Sequence, residues 1–293
     1  MTKQVEIVER DWLSELEEIQ DTFKKRAFRI KEFRPAPPND FPELDVVLPD
    51  SLDTIELAPL YDVHIGSNEH DDKLFARHSK WIAKTPNVFT WNGGDAFENK
   101  TPHEGHMGHD ALNPEEQLLE ATKKFAVLQH KMLFSIPGNH EDRTFKQAGM
   151  SGSKRLADNL QVPYFRDYCL VNLKWRGNNF RILAHHGAGG AQTPGAQRNA
   201  ARKELTWAKP DILWTGHLHQ PMSDTCYVMD VDQKTGRAFE RGILVIISPS
   251  YVKYFGGYAA HNRMAPGLRG LSVVTLHEDG RMDTSVHARG RRL

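Results

Sequence analysis

Short apolar or β-branched runs recur along the chain, namely TIELAPLY, NVFTW, KMLFSI, FRILA and DILWT, and stretches with helical patterning lie between several of them. Runs of this length bounded by polar loops read as buried strands. Strands alternating with helices predict an α/β fold, a largely buried sheet flanked by helices, and such sheets gather ligands outside the carboxyl ends of their strands. Each run stops within four residues of a side chain able to hold a metal: Asp62 and His64 in YDVHIG, Asp95 in NGGD, Asn139 in PGNHE, the adjacent His185 and His186 in LAHHG, and His217 and His219 in TGHLH. One fold would bring them to one edge.

The pattern changes at the ends. Trp12, Leu16, Ile19, Phe23, Ala27 and Ile30 recur at three- and four-residue steps, which predicts an amphipathic helical extension over 1–33. Packing on its own domain is the simplest fate of that stripe; the alternatives are a dimer contact or a docking helix for a partner. Residues 34–50, RPAPPNDFPELDVVLPD, hold five prolines and read as an extended connector, leaving 51–293 as one domain. Within it, Asn113, Pro114 and Glu116 form a helix start with a capping box, that helix ending near Gln129. LSVVTLHEDGRMDTSVHA reads as a final hairpin turning at Asp279 and Gly280.

Composition narrows the class. At 293 residues and 33.4 kDa the chain can bury a sizeable core. Net charge is zero and the pI about 7.3, so no global field draws the protein to polyanions, and any nucleic-acid grip is local. Cys169 and Cys226, the only cysteines, give neither a disulfide framework nor a thiolate metal site, and a reducing compartment follows. The N-terminus is charged, and no run approaches the ~18 apolar residues of a membrane span, so a cytoplasmic protein without membrane contact is expected.

Carboxylates, imidazoles and one neutral amide make a mixed oxygen and nitrogen set that suits manganese, iron(II), nickel or zinc better than calcium. Seven such ligands are too many for one ordinary transition-metal site. Two ions roughly 3.5–4 Å apart, bridged by Asp95, would use all of them and clamp a phosphoryl group. Neighbours on an extended strand point to opposite faces, so only one of His185 and His186 is a ligand. Arg198 and Arg202, four apart on a predicted helix with Lys203 beside them, are candidates for substrate phosphate, the bland alternative being a solvated helix face. The His-rich stretch 101–110 fits no defined metal cage and reads as a solvated loop.

Five blocks occur in order between residues 62 and 219: D-x-H, G-D, G-N-H-[DE], a lone His, and G-H-x-H. Together they resemble the signature of the calcineurin-like metallophosphoesterases. That resemblance implies a four-layer αββα sandwich and two divalent transition-metal ions, manganese being the first expectation. One ion would be held by Asp62, His64, Asp95 and His219, the other by Asp95, Asn139, His185 and His217. The family's spacing, ligand then one residue then Gly or Pro, favours His185 and leaves His186 to face substrate. His140 matches the family's leaving-group His. Protein phosphatases of the family carry an Arg after the G-D block, where this chain has Gly94-Asp95-Ala96-Phe97-Glu98-Asn99-Lys100, and purple acid phosphatases carry a Tyr where Glu98 stands. The resemblance therefore leans to the phosphodiesterase and nuclease branches. It implies hydrolysis of a nucleotide derivative or nucleic acid by a hydroxide held between the ions, with a phosphomonoesterase or a non-catalytic interaction subunit as alternatives.

Overall fold

The computed structural model describes residues 12–35, 41–99, 112–232, 234–255, 260, 265–288 and 291–292. Two sheets carry the fold. Seven strands, β1 (Arg29–Arg34), β2 (Glu43–Val47), β6 (Tyr168–Trp175), β7 (Asn178–His185), β8 (Ile212–Thr215), β9 (Met222–Val231) and β10 (Ala238–Ile247), form one sheet in the order β1-β2-β6-β7-β8-β10-β9. The other has the order β13-β12-β11-β3-β4-β5, from β3 (Ile55–Leu57), β4 (Val88–Asn92), β5 (Met132–Ser135), β11 (Gly270–Leu276), β12 (Met282–Ala288) and β13 (Arg291–Arg292).

The sheets face each other across an apolar core that includes Leu44, Leu57, Phe89, Phe134, Ile182 and Ile246. Trp91 anchors it, stacked on Phe134 at 5.3 Å and edge-on to Trp214 at 5.1 Å. Outside the six-stranded sheet, α2 (Asp72–Lys84), α3 (Pro114–Ala126) and α5 (Gly152–Asn159) bury Phe75, Phe125 and Leu156 against Val88 and Val273. Outside the seven-stranded sheet the cover is thinner: α6 (Pro194–Ala201) and a 3-10 turn at Lys203–Thr206 lie over Leu183, Leu213 and Val245. The remaining helix of the core, α4 (Glu141–Ala148), follows β5. Layers of helix, sheet, sheet and helix are thus present as expected. No helix among the described residues is long and apolar enough to cross a membrane.

Local signals hold where they are chemically specific. Asn113 Oδ1 accepts from the Glu116 N–H at 2.9 Å, and Glu116 accepts back from the Asn113 N–H at 3.0 Å, so the capping box starts α3. β11 and β12 pair antiparallel from Gly270↔Ala288 to Leu276↔Met282, the expected hairpin.

The N-terminal expectation needs correction. Among the described residues the helix, α1, spans Trp12–Asp21 and does not reach residue 33: Arg29–Arg34 is a strand paired to β2, which lies inside the segment expected as a connector. The apolar stripe splits accordingly: Ile19 and Phe23 pack with the helical layer, whereas Ala27 and Ile30 join the core between the sheets. Ile30 fits the helical steps from Ala27 and also a two-residue step from Phe28, and backbone pairing with β2 decides between them. α1 packs on its own chain, with Lys123 Nζ 2.8 Å from Glu15 and Gln20 donating to the Asn159 carbonyl at 3.1 Å. The 101–110 stretch lies outside the described residues.

Candidate metal centre

Asp62 and His64 follow β3, Asp95 follows β4, Asn139 and His140 follow β5, His186 lies just beyond β7, and His217 and His219 follow β8. Within each sheet these strands run parallel, β3 to β4 to β5 and β7 to β8, so their carboxyl-terminal loops share one edge. The loops turn sharply there. Eight described non-glycine residues have φ between 45 and 66°, and five of them are Asp62, His64, Asp95, His217 and His219. Left-handed backbone costs ~1–3 kcal/mol for a residue with a side chain, and its concentration here marks a site whose donors are aimed by strain. Close packing fixes the glycines between them: a Cβ on Gly138 would fall on Asp95 Oδ1, and Gly94 combines φ +97° with contact to His186.

The side chains converge on two sets linked by a third. Asp62, His64 and His219 bring ligand atoms within 4.8 Å of one another, and so do Asp95, His186 and His217; a third grouping, His64, Asp95 and His140, joins them. Asp62 Oδ1 lies 3.1 Å from His219 Nε2, and its other oxygen accepts from the His217 N–H at 2.9 Å. Asp95 Oδ2 is 3.2 Å from His186 Nε2 and 3.9 Å from His64 Nε2, facing both sets. The Asn139 amide oxygen is 3.2 Å from His186 Nε2 and 2.8 Å from His217 Nδ1. Asp62 and Asp95 are essentially buried, whereas His219 and His217 keep part of their surface in solvent, so the cluster has one open side.

A supporting shell orients these groups. His64 Nδ1 is held by Glu98 Oε2 at 2.7 Å, which fixes its tautomer and turns Nε2 inward, where that buried atom has no hydrogen-bond partner. Glu141 accepts from three backbone N–H groups, Gly138 at 2.8 Å, Asp95 at 3.0 Å and Phe97 at 3.2 Å, tying the β4 and β5 loops together. Burial, with Asp95 nearby, pushes the Glu141 carboxyl up to about 7. His140 donates its N–H to Asp95 Oδ1 at 2.9 Å, and its ring Nδ1 lies 2.6 Å from the Glu98 carbonyl.

Electrostatics fit cation binding. Burial alone would lower both imidazoles, yet Asp95 and Asp62 raise His186 to about 10, and Glu98 and the two aspartates raise His64 to about 9. Burial would likewise raise Asp95, but His186 and His140 hold it well below the usual carboxylate range. Carboxylates that draw protons onto their neighbours this strongly offer the same attraction to divalent cations, which displace those protons on binding. With its oxygen and nitrogen donors, the inward Nε2 of His64 and the Glu98 carboxylate holding the far side of that ring, the cluster suits divalent transition metals.

Not every expected residue joins. His185 does not: β7 sends Ile182 and Ala184 into the core between the sheets and Leu183 to the outer face, so His185 follows Leu183 outward and His186 turns in. The imidazole that joins the cluster is therefore His186, and His185 packs on Tyr168 with ring centroids 5.1 Å apart. Arg198 and Arg202 both point to Asp224, Arg198 Nε at 3.2 Å and Arg202 in a closer pair, rather than toward the cluster. Conversely, Arg143 was not anticipated; its guanidinium lies 3.0 and 3.2 Å from the His140 ring nitrogens and donates to the Glu98 carbonyl at 3.2 Å. The three-residue step from His140 on a helix start was the available signal.

A scan against protein-family models finds no match, and a search of curated proteins finds none. Among solved structures the chain is similar to a metallophosphoesterase from Sphaerobacter thermophilus, with 14% identity over 81% of this chain and 90% of that one and a TM-score of 0.41. It is also similar to the calcineurin-like phosphoesterase YfkN from Bacillus subtilis, at 14% identity over 82% and 87% of the chains and a TM-score of 0.39. A double mutant of Vps29 from Entamoeba histolytica matches at 14% identity over 82% and 98%, with a TM-score of 0.37. In this chain the five motif blocks that resemble the calcineurin-like metallophosphoesterases meet in one cluster of aspartate, asparagine and histidine side chains at the shared edge of two facing sheets.

Proposed function

We propose that this chain is a divalent-metal-dependent hydrolase of phosphoric esters that prefers diesters. The observation that carries the reading is the pair of donor sets linked through Asp95, whose Oδ2 faces His186 in one and the buried Nε2 of His64, without a hydrogen-bond partner, in the other. Asp62, His64, Asp95 and His219 would hold one ion, and Asp95, Asn139, His186 and His217 the other. When bound, two such ions supply charge neutralisation for a phosphoryl group undergoing in-line displacement.

The protein's own groups account for the rest. Glu98 and Glu141 keep the loops and the His64 ring in place before substrate arrives, so little reorganisation is needed during reaction. His140, its Nδ1 side at the Glu98 carbonyl and its Nε2 3.8 Å from Asp95, is placed to hand a proton to a departing alkoxide. Burial lowers its imidazole to about 4, so the ring rests neutral, and the proton it passes to the alkoxide is one it takes up from the attacking water. A cavity of about 380 Å³ lined by Asn139 and His186 leaves room for an organic group beside the phosphoryl position, which favours a diester.

A second reading, phosphomonoesterase, has one observation in its favour: Arg143 brings a guanidinium to His140, and a doubly charged monoester gains most from such a partner. Turnover of bis-p-nitrophenyl phosphate and p-nitrophenyl phosphate in manganese separates the two. Faster diester turnover supports our reading, faster monoester turnover replaces it with the second, and no turnover of either overturns the hydrolase.

A further inference from the structure

A second cavity, of about 540 Å³, lies between α2, the end of α3 and the chain that follows α1. α2 connects β3 to β4 and α3 connects β4 to β5, so both helices run back from the metal edge, and Ala83, Lys84, Val127 and His130 on the cavity wall sit near the starts of those strands at the opposite edge. Its volume suits a small molecule, and the proposed hydrolysis makes no use of it.

Floor and rim differ in chemistry. Phe75, 1% exposed and packed on Phe125 with ring centroids 5.4 Å apart, brings the core of the helical layer to the cavity wall, and Ala83 and Ala126 continue that apolar surface. Around it stand Lys24, Lys80, Lys84, Lys123 and Lys124, and no carboxylate side chain lines the cavity, although the whole chain balances 38 basic against 38 acidic residues. Lys123 is 2.8 Å from Glu15, and Lys124 is 3.1 Å from Glu120 and also meets Asp72. Among the described residues no carboxylate lies within ion-pair distance of Lys24, Lys80 or Lys84. The positive field reaches His130 on the same wall, whose imidazole is lowered by burial, with Lys24 and Lys131 adding to the shift.

Helix ends account for part of this. Lys84 lies in the last turn of α2, and Lys123 and Lys124 in the last turn of α3, where cations complement the helix dipole. Lys80, a turn earlier, and Lys24, outside any helix, have no such reason to be there. Three unpaired cations over an apolar floor match a ligand that is charged at one end only.

We infer that this cavity binds a small anionic amphiphile, a phosphate or carboxylate head on an acyl or aromatic body. The head meets Lys24, Lys80 and Lys84, and the body lies over Phe75, Ala83 and Ala126. A single molecule fits better than a bilayer surface because the floor is recessed: Val127, 53% exposed, is the one large apolar side chain of the lining that reaches solvent. The site is separate from the metal cluster and does not rest on the hydrolase reading.

The test is calorimetric titration with dodecyl phosphate below its micelle concentration, in EDTA so that no metal can take the phosphate. Wild type should bind one molecule per chain, weaken as salt rises, and bind inorganic phosphate or dodecyltrimethylammonium far less tightly. Lys80→Glu combined with Lys84→Glu should weaken binding about tenfold or more, since like charges then face the head. Ala76→Trp, at an exposed position on the cavity wall, should block the body by filling its space. Lys234→Glu combined with Arg237→Glu makes the same change of net charge on the β9–β10 turn and should leave affinity unchanged. Circular dichroism checks that every variant is folded. Equal affinity for dodecyltrimethylammonium, retained affinity in either cavity variant, or an equal loss in the β9–β10 variant would overturn the inference. So would sedimentation with phosphatidylglycerol vesicles without binding of monomeric dodecyl phosphate, which would make this face a membrane contact instead.

Discussion

Glu141 offers the sharpest single-residue prediction. Its carboxylate is fully buried and is the acceptor for three backbone N–H groups from two loops: Oε2 takes Gly138 and Asp95, and Oε1 takes Phe97. Glu141→Ala leaves three buried donors without that acceptor, each costing ~1–3 kcal/mol. With partial relaxation and water entry the loss should be about 3–6 kcal/mol, a large part of a typical ~5–15 kcal/mol stability. Glu141→Gln keeps the shape; its carbonyl oxygen can serve Gly138 and Asp95, but its amide faces the Phe97 donor, so about 1–3 kcal/mol should go. Urea unfolding followed by tryptophan fluorescence, in EDTA to remove metal linkage and at pH 8, above the Glu141 value of about 7, measures both. Glu141→Ala within about 1 kcal/mol of wild type, or Gln worse than Ala, would refute the reasoning.

Other consequences follow from the same geometry. Glu98→Gln removes the charge that orients His64 and should weaken metal binding ~10–100-fold in calorimetry; unchanged affinity would remove Glu98 from the supporting shell. His186→Ala should empty the set that includes Asn139 and His217, whereas His185→Ala should keep the full metal content, and the reverse pattern would restore His185 as the ligand. His78 lies at about 3 because it is buried beside Arg77, its Nδ1 2.9 Å from the Tyr251 hydroxyl. The unfolded chain takes up a proton at ~6.5 that the folded chain refuses until about 3, so this group removes stability as pH falls through that window. Urea midpoints at pH 7.5 and pH 5 should therefore fall less in His78→Phe than in wild type; an equal fall would show that His78 is not a linked group.

The chemistry was more legible in the sequence than the backbone that aims it. Asp62, His64, Asp95, Asn139, His217 and His219 each follow an apolar run, and parallel pairing of those strands is enough to collect them. The choice between His185 and His186 was not legible, because FRILA is apolar on both faces: Leu183 meets the outer layer and Ile182 the inner core, so composition carries no parity. Arg198 and Arg202 looked like a phosphate grip because four-residue spacing fixes a face but not what faces it, and Asp224 on β9 takes both. The end of the N-terminal stripe failed for the same kind of reason, Ile30 fitting a helical step from Ala27 and a strand step from Phe28 until β2 supplies a pairing partner. Glu98 and Arg143 act through contacts formed only when the loops close on one another, and no local pattern announces them.

The central claim is that two divalent ions share Asp95, and anomalous scattering from crystals grown with manganese tests it most directly. Two peaks are expected roughly 3.5–4 Å apart, one among Asp62, His64, Asp95 and His219, the other among Asp95, Asn139, His186 and His217, with His185 beside neither. A single peak, peaks that leave Asp95 unshared, or manganese bound through His185 would contradict it.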